Sequence, residues 1–186
     1  ALRTALLLLT LPCALRVTMQ AETGFKEPAA LRDVAAFHRL FKAPVLAQPT
    51  IPDAKRCALR VNLLQEELNE LKVAIAQNDI VEIADALADL QYVLSGAVHE
   101  FGLGSRFKAL HDEVHRSNMS KACATREEAE RTAAHYAAKG QPARIKEVDD
   151  VFLVHRIDDN KALKSVEYSP AALAPILDME NVPPPA

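Results

Sequence analysis

Gln65-Glu66-Glu67-Leu68-Asn69-Glu70 and, after a break at Asn78-Asp79, Glu82-Ile83-Ala84-Asp85-Ala86-Leu87-Ala88-Asp89 are the stretches on which the reading of this chain turns. Apolar residues around the first recur at helical spacing, with Leu64, Leu68, Leu71 and Ile75 as the seam. Ile80, Ile83, Leu87, Leu90 and Leu94 do the same around the second. Asp53 suits the N-cap of a long helix running to about Gln77, and a second helix is predicted to about Phe101, stopped by Gly102 and Gly104. Spacings of three and four set Glu67 and Glu66 beside Glu70, Glu82 beside Asp85, and Asp85 beside Asp89. If the helices fold back at residues 77 and 78, Glu70 faces Asp85 and Glu66 faces Asp89. Five or six carboxylates then converge between antiparallel helices.

Such a patch is costly. Like charges at i,i+4 each destabilise a helix by roughly 0.2–0.5 kcal/mol, and by more where water is excluded. The thirty-three residues from Val73 to Ser105 hold five acids and no Lys or Arg, so no cation within the second helix offsets the repulsion. A divalent cation would. Oxygen donors without Cys or His suit Mg²⁺, or Mn²⁺, rather than Zn²⁺, and Mg²⁺ held by carboxylates keeps positions open for phosphate oxygens. The bland alternative is a solvated helix face. A di-iron carboxylate bundle is a third reading, but it needs Glu-x-x-His, and neither Glu67 nor Glu82 has a His three residues on.

Working outward, Leu31, Val34, Phe37, Leu40 and Phe41 predict a short helix ending near Lys42. Pro44, Pro49 and Pro52 mark an extended connection. Ser105 can cap a fourth helix through Met119, and Arg126 to Lys139 reads as a surface helix closed by Gly140. Val151–Val154 and Ala162–Tyr168 flank the turn-like Asp158-Asp159-Asn160 and predict a β-hairpin. Ser169-Pro170 reads as the start of a last short helix. The expected organisation is a leader over 1–28, a helical core over 29–121, and an α+β appendage with a Pro-rich tip over 122–186.

The composition agrees with a mainly α fold. Among 186 residues only 5 are Gly, aromatics make up 5%, and 49% are apolar, which disfavours a β-sandwich and excludes a wholly disordered chain. A net charge of −3 gives no electrostatic reason to expect nucleic acid. Cys13, Cys57 and Cys123 lack CxxC spacing and read as free thiols in a reducing compartment. The apolar run Ala5 to Leu15 is too short for a transmembrane helix. With Arg3 and Arg16, and no acid before Glu22, it reads as an organelle presequence (a mitochondrial location), with a secretory h-region and a cytoplasmic chain as rivals.

At the carboxylates the chain resembles the MazG-like, all-α nucleoside triphosphate pyrophosphohydrolase superfamily, whose signature is Glu-Glu-x-x-Glu on one helix and Glu-x-x-Asp on the next. Here these are Glu66, Glu67 and Glu70, then Glu82 and Asp85. Asp33-Val34-Ala35-Ala36-Phe37-His38, Glu113 to Lys121, and Tyr168-Ser169-Pro170 resemble segments of the phosphoribosyl-ATP-pyrophosphohydrolase-like branch. The resemblance implies a helical bundle and Mg²⁺-dependent cleavage between α- and β-phosphates. It implies that Glu67, Glu70, Glu82 and Asp85 hold metal and that Glu66 orients or deprotonates water. Asp89, one turn beyond, is a weaker metal or substrate candidate.

Arg116, Asn118 and Lys121 are phosphate-binding candidates, although Arg116 can equally pair with Glu113 at i,i+3. His38 is a base-recognition candidate set against a plain packing histidine. His111, His115 and Tyr168 read more simply as surface or core residues. Two helices with one acidic groove cannot enclose a nucleotide, and the superfamily's usual answer is a homodimer. Val81, Val93 and Val98, off the main seam, agree with burial against a second neighbour. The rival to an enzyme is a MazG-like fold recruited as a structural subunit of a larger assembly.

Overall fold

In the computed structural model, Gly24 and residues 26–178 are described. The leader with Cys13, and the Pro-rich tip, lie outside the described residues. The chain forms two compact units, one of residues 26–110 with 174–178, the other His111–Leu173.

The first unit holds α1 (Ala30–Leu40), α2 (Ala54–Gln77), α3 (Ile80–Glu100) and the start of α4 (Phe107–Met119). Asp53 caps α2, its carboxylate accepting from Lys55 N at 2.9 Å and Arg56 N at 3.1 Å. The break between α2 and α3 takes two residues: Asn78 adopts the left-handed conformation (φ 55°), and Asp79 caps α3 through Val81 N and Glu82 N. So short a turn leaves α2 and α3 antiparallel neighbours, with α1 packed on α3. The extended connection lies along the end of α3, where Leu46 N donates to His99 O and Thr50 N to Phe101 O, both at 3.0 Å. Gly102 (φ +67°) ends the helix, and a side chain there would overlap the Gln48 carbonyl. The fourth helix starts one residue later than the Ser105 cap implies, after a turn in which Arg106 N donates to Leu103 O. Val34, Ala35, Ala74, Ala86, Ala97, Val98 and Leu110 form the buried apolar set. Ile80, Leu87 and Ile75, all on the expected seams, are more than half exposed.

In the second unit α5 (Arg126–Ala137) is the expected surface helix, with Arg126, Glu127, Glu130, Arg131, Ala134 and His135 exposed. Its inner face is buried: Ala129 and Thr132 are fully buried, and Ala129 packs with Cys123, Val154 and Leu163. Thr125 caps it by accepting from Glu128 N, and Glu128 in turn accepts from Ala124 N at 2.8 Å. The hairpin is also relocated. It joins β1 (Ala143–Val148) to β2 (Val151–Arg156) through Asp149-Asp150, in register from Ala143↔Arg156 to Val148↔Val151. The expected partner, Ala162–Tyr168, contributes one bridge, His155↔Ala162, and then leaves to donate from Val166 N to Thr132. No final helix starts at Ser169-Pro170. Arg116 holds the Ser169 hydroxyl and the Pro170 carbonyl, each at 3.0 Å, and one 3-10 turn comes after them at Pro175–Leu177. Cys57 and Cys123 are free thiols.

Candidate active site

The acidic face forms because α2 and α3 run antiparallel from a two-residue turn. Glu66 and Glu70 on α2, and Glu82, Asp85 and Asp89 on α3, are exposed, while Glu67 is half-buried. Partial burial pushes the Glu67 carboxyl above the usual range, and the charges of Glu70, Asp89, Glu66 and Asp85 push it further. Glu70 of α2 shares one pocket lining with Glu82 and Asp85 of α3, so the facing helices bring these carboxylates together. Beside them lies an open pocket of ≈ 440 Å³. Glu70, Glu82 and Asp85 form one end, with the carboxamides of Asn69 and Gln77 and the apolar Val73, Ala74 and Ala86 completing the lining.

The phosphate-binding candidates belong to the second unit. Arg116 makes a two-pronged pair with Glu113, at 2.7 and 2.8 Å, as well as its bonds to Ser169 and Pro170. That pair, a bond from Ala172 N and the nearby charge hold the Glu113 carboxyl at about 2. Lys121 Nζ donates to Asn118 Oδ1 at 2.7 Å, and Asn118 donates on to Val114 O. Tyr168 pairs its hydroxyl with Ser117 at 2.7 Å under the Lys164 ammonium. His111 and His115 are exposed.

Residues 34–118 match the family model for phosphoribosyl-ATP pyrophosphohydrolase. That family belongs to the MazG-like all-α superfamily, so the acidic face lies in a segment similar to a pyrophosphohydrolase domain. The chain also resembles the uncharacterized protein L479 of Acanthamoeba polyphaga mimivirus, with 32% identity over 103 residues covering 53% of this chain and 41% of that protein. It thus spans less than half the length of that relative.

Hydrolases of this family typically use divalent metals. Among the described residues no three His, Cys, Asp or Glu side chains stand together at ligating distance. The donor set nevertheless fits a hard cation. It offers carboxylate oxygens alone, on exposed side chains of two facing helices, with Glu67 under the influence of four other acids.

One cluster of this MazG-like unit escapes the sequence reading. Glu100 is fully buried and ion-paired to both Arg56 and Arg60. Burial pushes its carboxyl up, but the two guanidinium groups outweigh this and hold it below the usual range. His38 is buried alongside, its Nδ1–H donating to Pro44 O at 2.8 Å, while His99 donates from Nε2 to Leu31 O at 2.7 Å. Gly96 makes room, since a Cβ there would lie 2.7 Å from Arg60 Nη1 and 3.0 Å from His38 Nε2. His38 therefore sits in the packing between α1 and α3, the plainer of its two readings. The signal was available: the antiparallel register that sets Glu70 against Asp85 sets Glu100 against Arg56.

Proposed function

We propose that this chain is a Mg²⁺-dependent nucleotide pyrophosphohydrolase, with Mn²⁺ as a substitute, that cleaves nucleoside triphosphates between the α- and β-phosphates. The observation that carries the reading is the pocket where Glu70 of α2 meets Glu82 and Asp85 of α3, in a family-matched segment. Glu67, Glu70, Glu82 and Asp85 would hold the metal, with Asp89 able to join them. The bound cation would neutralise phosphate charge and lower the cost of the developing pyrophosphate. Glu66 orients a water towards the α-phosphorus and accepts its proton. A new P–O bond forms there, the α–β bridging bond breaks, and its electron pair leaves with pyrophosphate, giving nucleoside monophosphate.

We propose further that the active species is a homodimer. Ile75, Ile80, Val81 and Leu87 on α2 and α3 are more than half exposed in the single chain, an apolar surface that a second copy would cover. The test is pyrophosphate release from ATP, GTP, CTP and UTP with Mg²⁺, for the parent chain and Glu67→Gln, alongside sedimentation of both. Turnover that needs metal and drops at least about 100-fold in the variant is expected, on a dimer. No turnover of any nucleotide, or undiminished turnover in Glu67→Gln, would sink the enzymatic reading.

A further inference from the structure

We infer that the exposed aromatic rings at the end of α1 are the platform on which the nucleobase stacks, and that this platform takes any base; this rests on the pyrophosphohydrolase reading above. α1 runs antiparallel to α3. His99 Nε2 donates to Leu31 O, and farther along α1 Phe37 meets Tyr92 edge-on at 5.6 Å. Carried one turn further, that register brings Phe41 level with Asp89, at the end of α1 nearest the acids. Tyr92 shares the acidic stripe of α3, since its spacing from Asp85 and Asp89 leaves it within about 20° of Asp85 around the axis. Leu87, on the apolar surface assigned above to a second copy, lies about 160° from Asp85. The rings and the acids thus share one face, and the dimer surface is another.

The rings form a short stack with an open outer member. Phe41 packs on Phe37 at 4.3 Å, with 32° between the ring planes, and Tyr92 braces Phe37 from the side. Phe41 is 64% exposed, against 41% for Phe37 and 39% for Tyr92, so the outermost ring is also the barest. The helix ends there: Phe41 is the C-cap of α1, and Lys42 (φ 59°) turns the chain away. Asp85, which meets Glu70 and Glu82 at the pocket, lies one turn from Asp89, so about 6 Å of helix separates it from the level of Phe41. A ribose spans such a gap, and phosphates held at the acids carry a base to the ring. Two polar side chains of this end are committed elsewhere. His38 is buried and donates Nδ1–H to Pro44 O at 2.8 Å, and Gln91 donates to Ser95 at 3.2 Å. What the end offers a base is a ring face, and every base has a π-face to stack on it, purines the larger one.

The experiment measures KM and kcat with Mg²⁺ for ATP, GTP, CTP and UTP in the parent, Phe41→Ala, Phe41→Trp and Leu40→Ala, with sedimentation of each. In parallel, AMP is titrated without metal while the phenylalanine ring resonances are followed by NMR. In the parent the four KM values are expected within about tenfold of one another, purines lowest. Phe41→Ala raises all four by about five- to a hundredfold, the worth of one stacking ring, with kcat within about threefold. Phe41→Trp keeps each KM at or below that of the parent. Leu40→Ala, at a neighbouring apolar residue that is 74% exposed but has no ring, changes neither constant by more than about twofold. AMP shifts the Phe37 and Phe41 signals. Unchanged KM in Phe41→Ala, a rise for one base alone, or a dimer lost from Phe41→Ala at constant KM overturns the platform while leaving the pyrophosphohydrolase standing. A parent chain that hydrolyses no nucleotide overturns both.

Discussion

Glu100→Gln is the perturbation whose cost the structure defines best. The carboxylate is fully buried and serves two guanidinium groups, Arg56 Nε donating to Oε2 at 2.9 Å and both Arg56 and Arg60 reaching Oε1. The Arg56 side chain is 32% exposed and can turn its charge towards water. Arg60 is 8% exposed, and its Nε already lacks a partner, so it has no such escape. The amide preserves shape and one acceptor but strands the Arg60 charge. Removing one partner of a buried pair costs about 3–5 kcal/mol, and the retained acceptor argues for the lower end, near 3 kcal/mol. The half-exposed Arg56 adds less than about 1 kcal/mol. For a chain of this length the sum corresponds to a fall of about 6–16 °C in Tm. Thermal and urea unfolding followed by far-ultraviolet circular dichroism measure it. The double variant Arg60→Met with Glu100→Leu removes both buried charges, and should recover most of the loss because apolar replacement of a buried pair is near neutral. A loss below about 1 kcal/mol in Glu100→Gln, or a double variant as unstable as the single, refutes the reasoning.

Three other outcomes are expected. Mg²⁺ should raise the Tm of the parent chain, by the equivalent of about 2.7 kcal/mol at a hundred times its Kd; Glu67→Gln should melt higher than the parent without metal, being relieved of repulsion, and gain little when metal is added. Burial, opposed by the Pro44 hydrogen bond and Glu100 but reinforced by Arg60 and His99, holds His38 below the ordinary imidazole value of 6.5. The unfolded chain therefore takes up a proton that the folded chain refuses, so stability should fall as pH drops through 6.5 and level off below the folded value, a slope that His38→Gln flattens in urea titrations across pH. Gly102→Ala should cost about 2–4 kcal/mol by chemical denaturation, because positive φ and overlap with the Gln48 carbonyl coincide there. Gly140→Ala, at φ +72° in open space, should cost no more than about 1–2 kcal/mol. Equal losses at the two glycines would show that the Gln48 contact contributes nothing.

Helix boundaries around the carboxylates were legible because their determinants are local. Asp53 caps α2 by bonding amides two and three residues on, and Asn78 closes it with a single left-handed residue. Distance along the chain explains what was missed. The turn at Asp158–Asn160 is present, with Asn160 at φ 58° and Asp159 accepting from Lys161 N at 3.1 Å. A turn signal does not choose between the flanking segments as pairing partners, however, and the strand that pairs with Val151–Arg156 is the one before it. That strand, Arg144-Ile145-Lys146-Glu147, is highly charged, and its alternation rests on Ile145 alone between Ala143 and Val148.

The seams of α2 and α3 carry a different lesson. Ala74 and Ala86 are buried where the helices meet, yet Ile75, Ile80 and Leu87, counted into the same periodic stripes, remain more than half exposed. A helical stripe wider than one partner can cover is a statement about two partners. Among the described residues α2 and α3 are each other's main partner along the acidic stretch, since α1 packs on α3 with contacts towards the Glu100 end. The surplus apolar surface and the exposed acids therefore share a stretch of the same two helices. A second copy docked on the first would bring its own boundary to the open pocket, and the carboxylates, now at water's edge, would lie in a partly enclosed groove where charge repulsion is stronger and a cation correspondingly more effective. Dimerisation and metal binding, if both hold, are on that argument coupled: Mg²⁺ should strengthen the dimer, and dilution to monomer should weaken the metal.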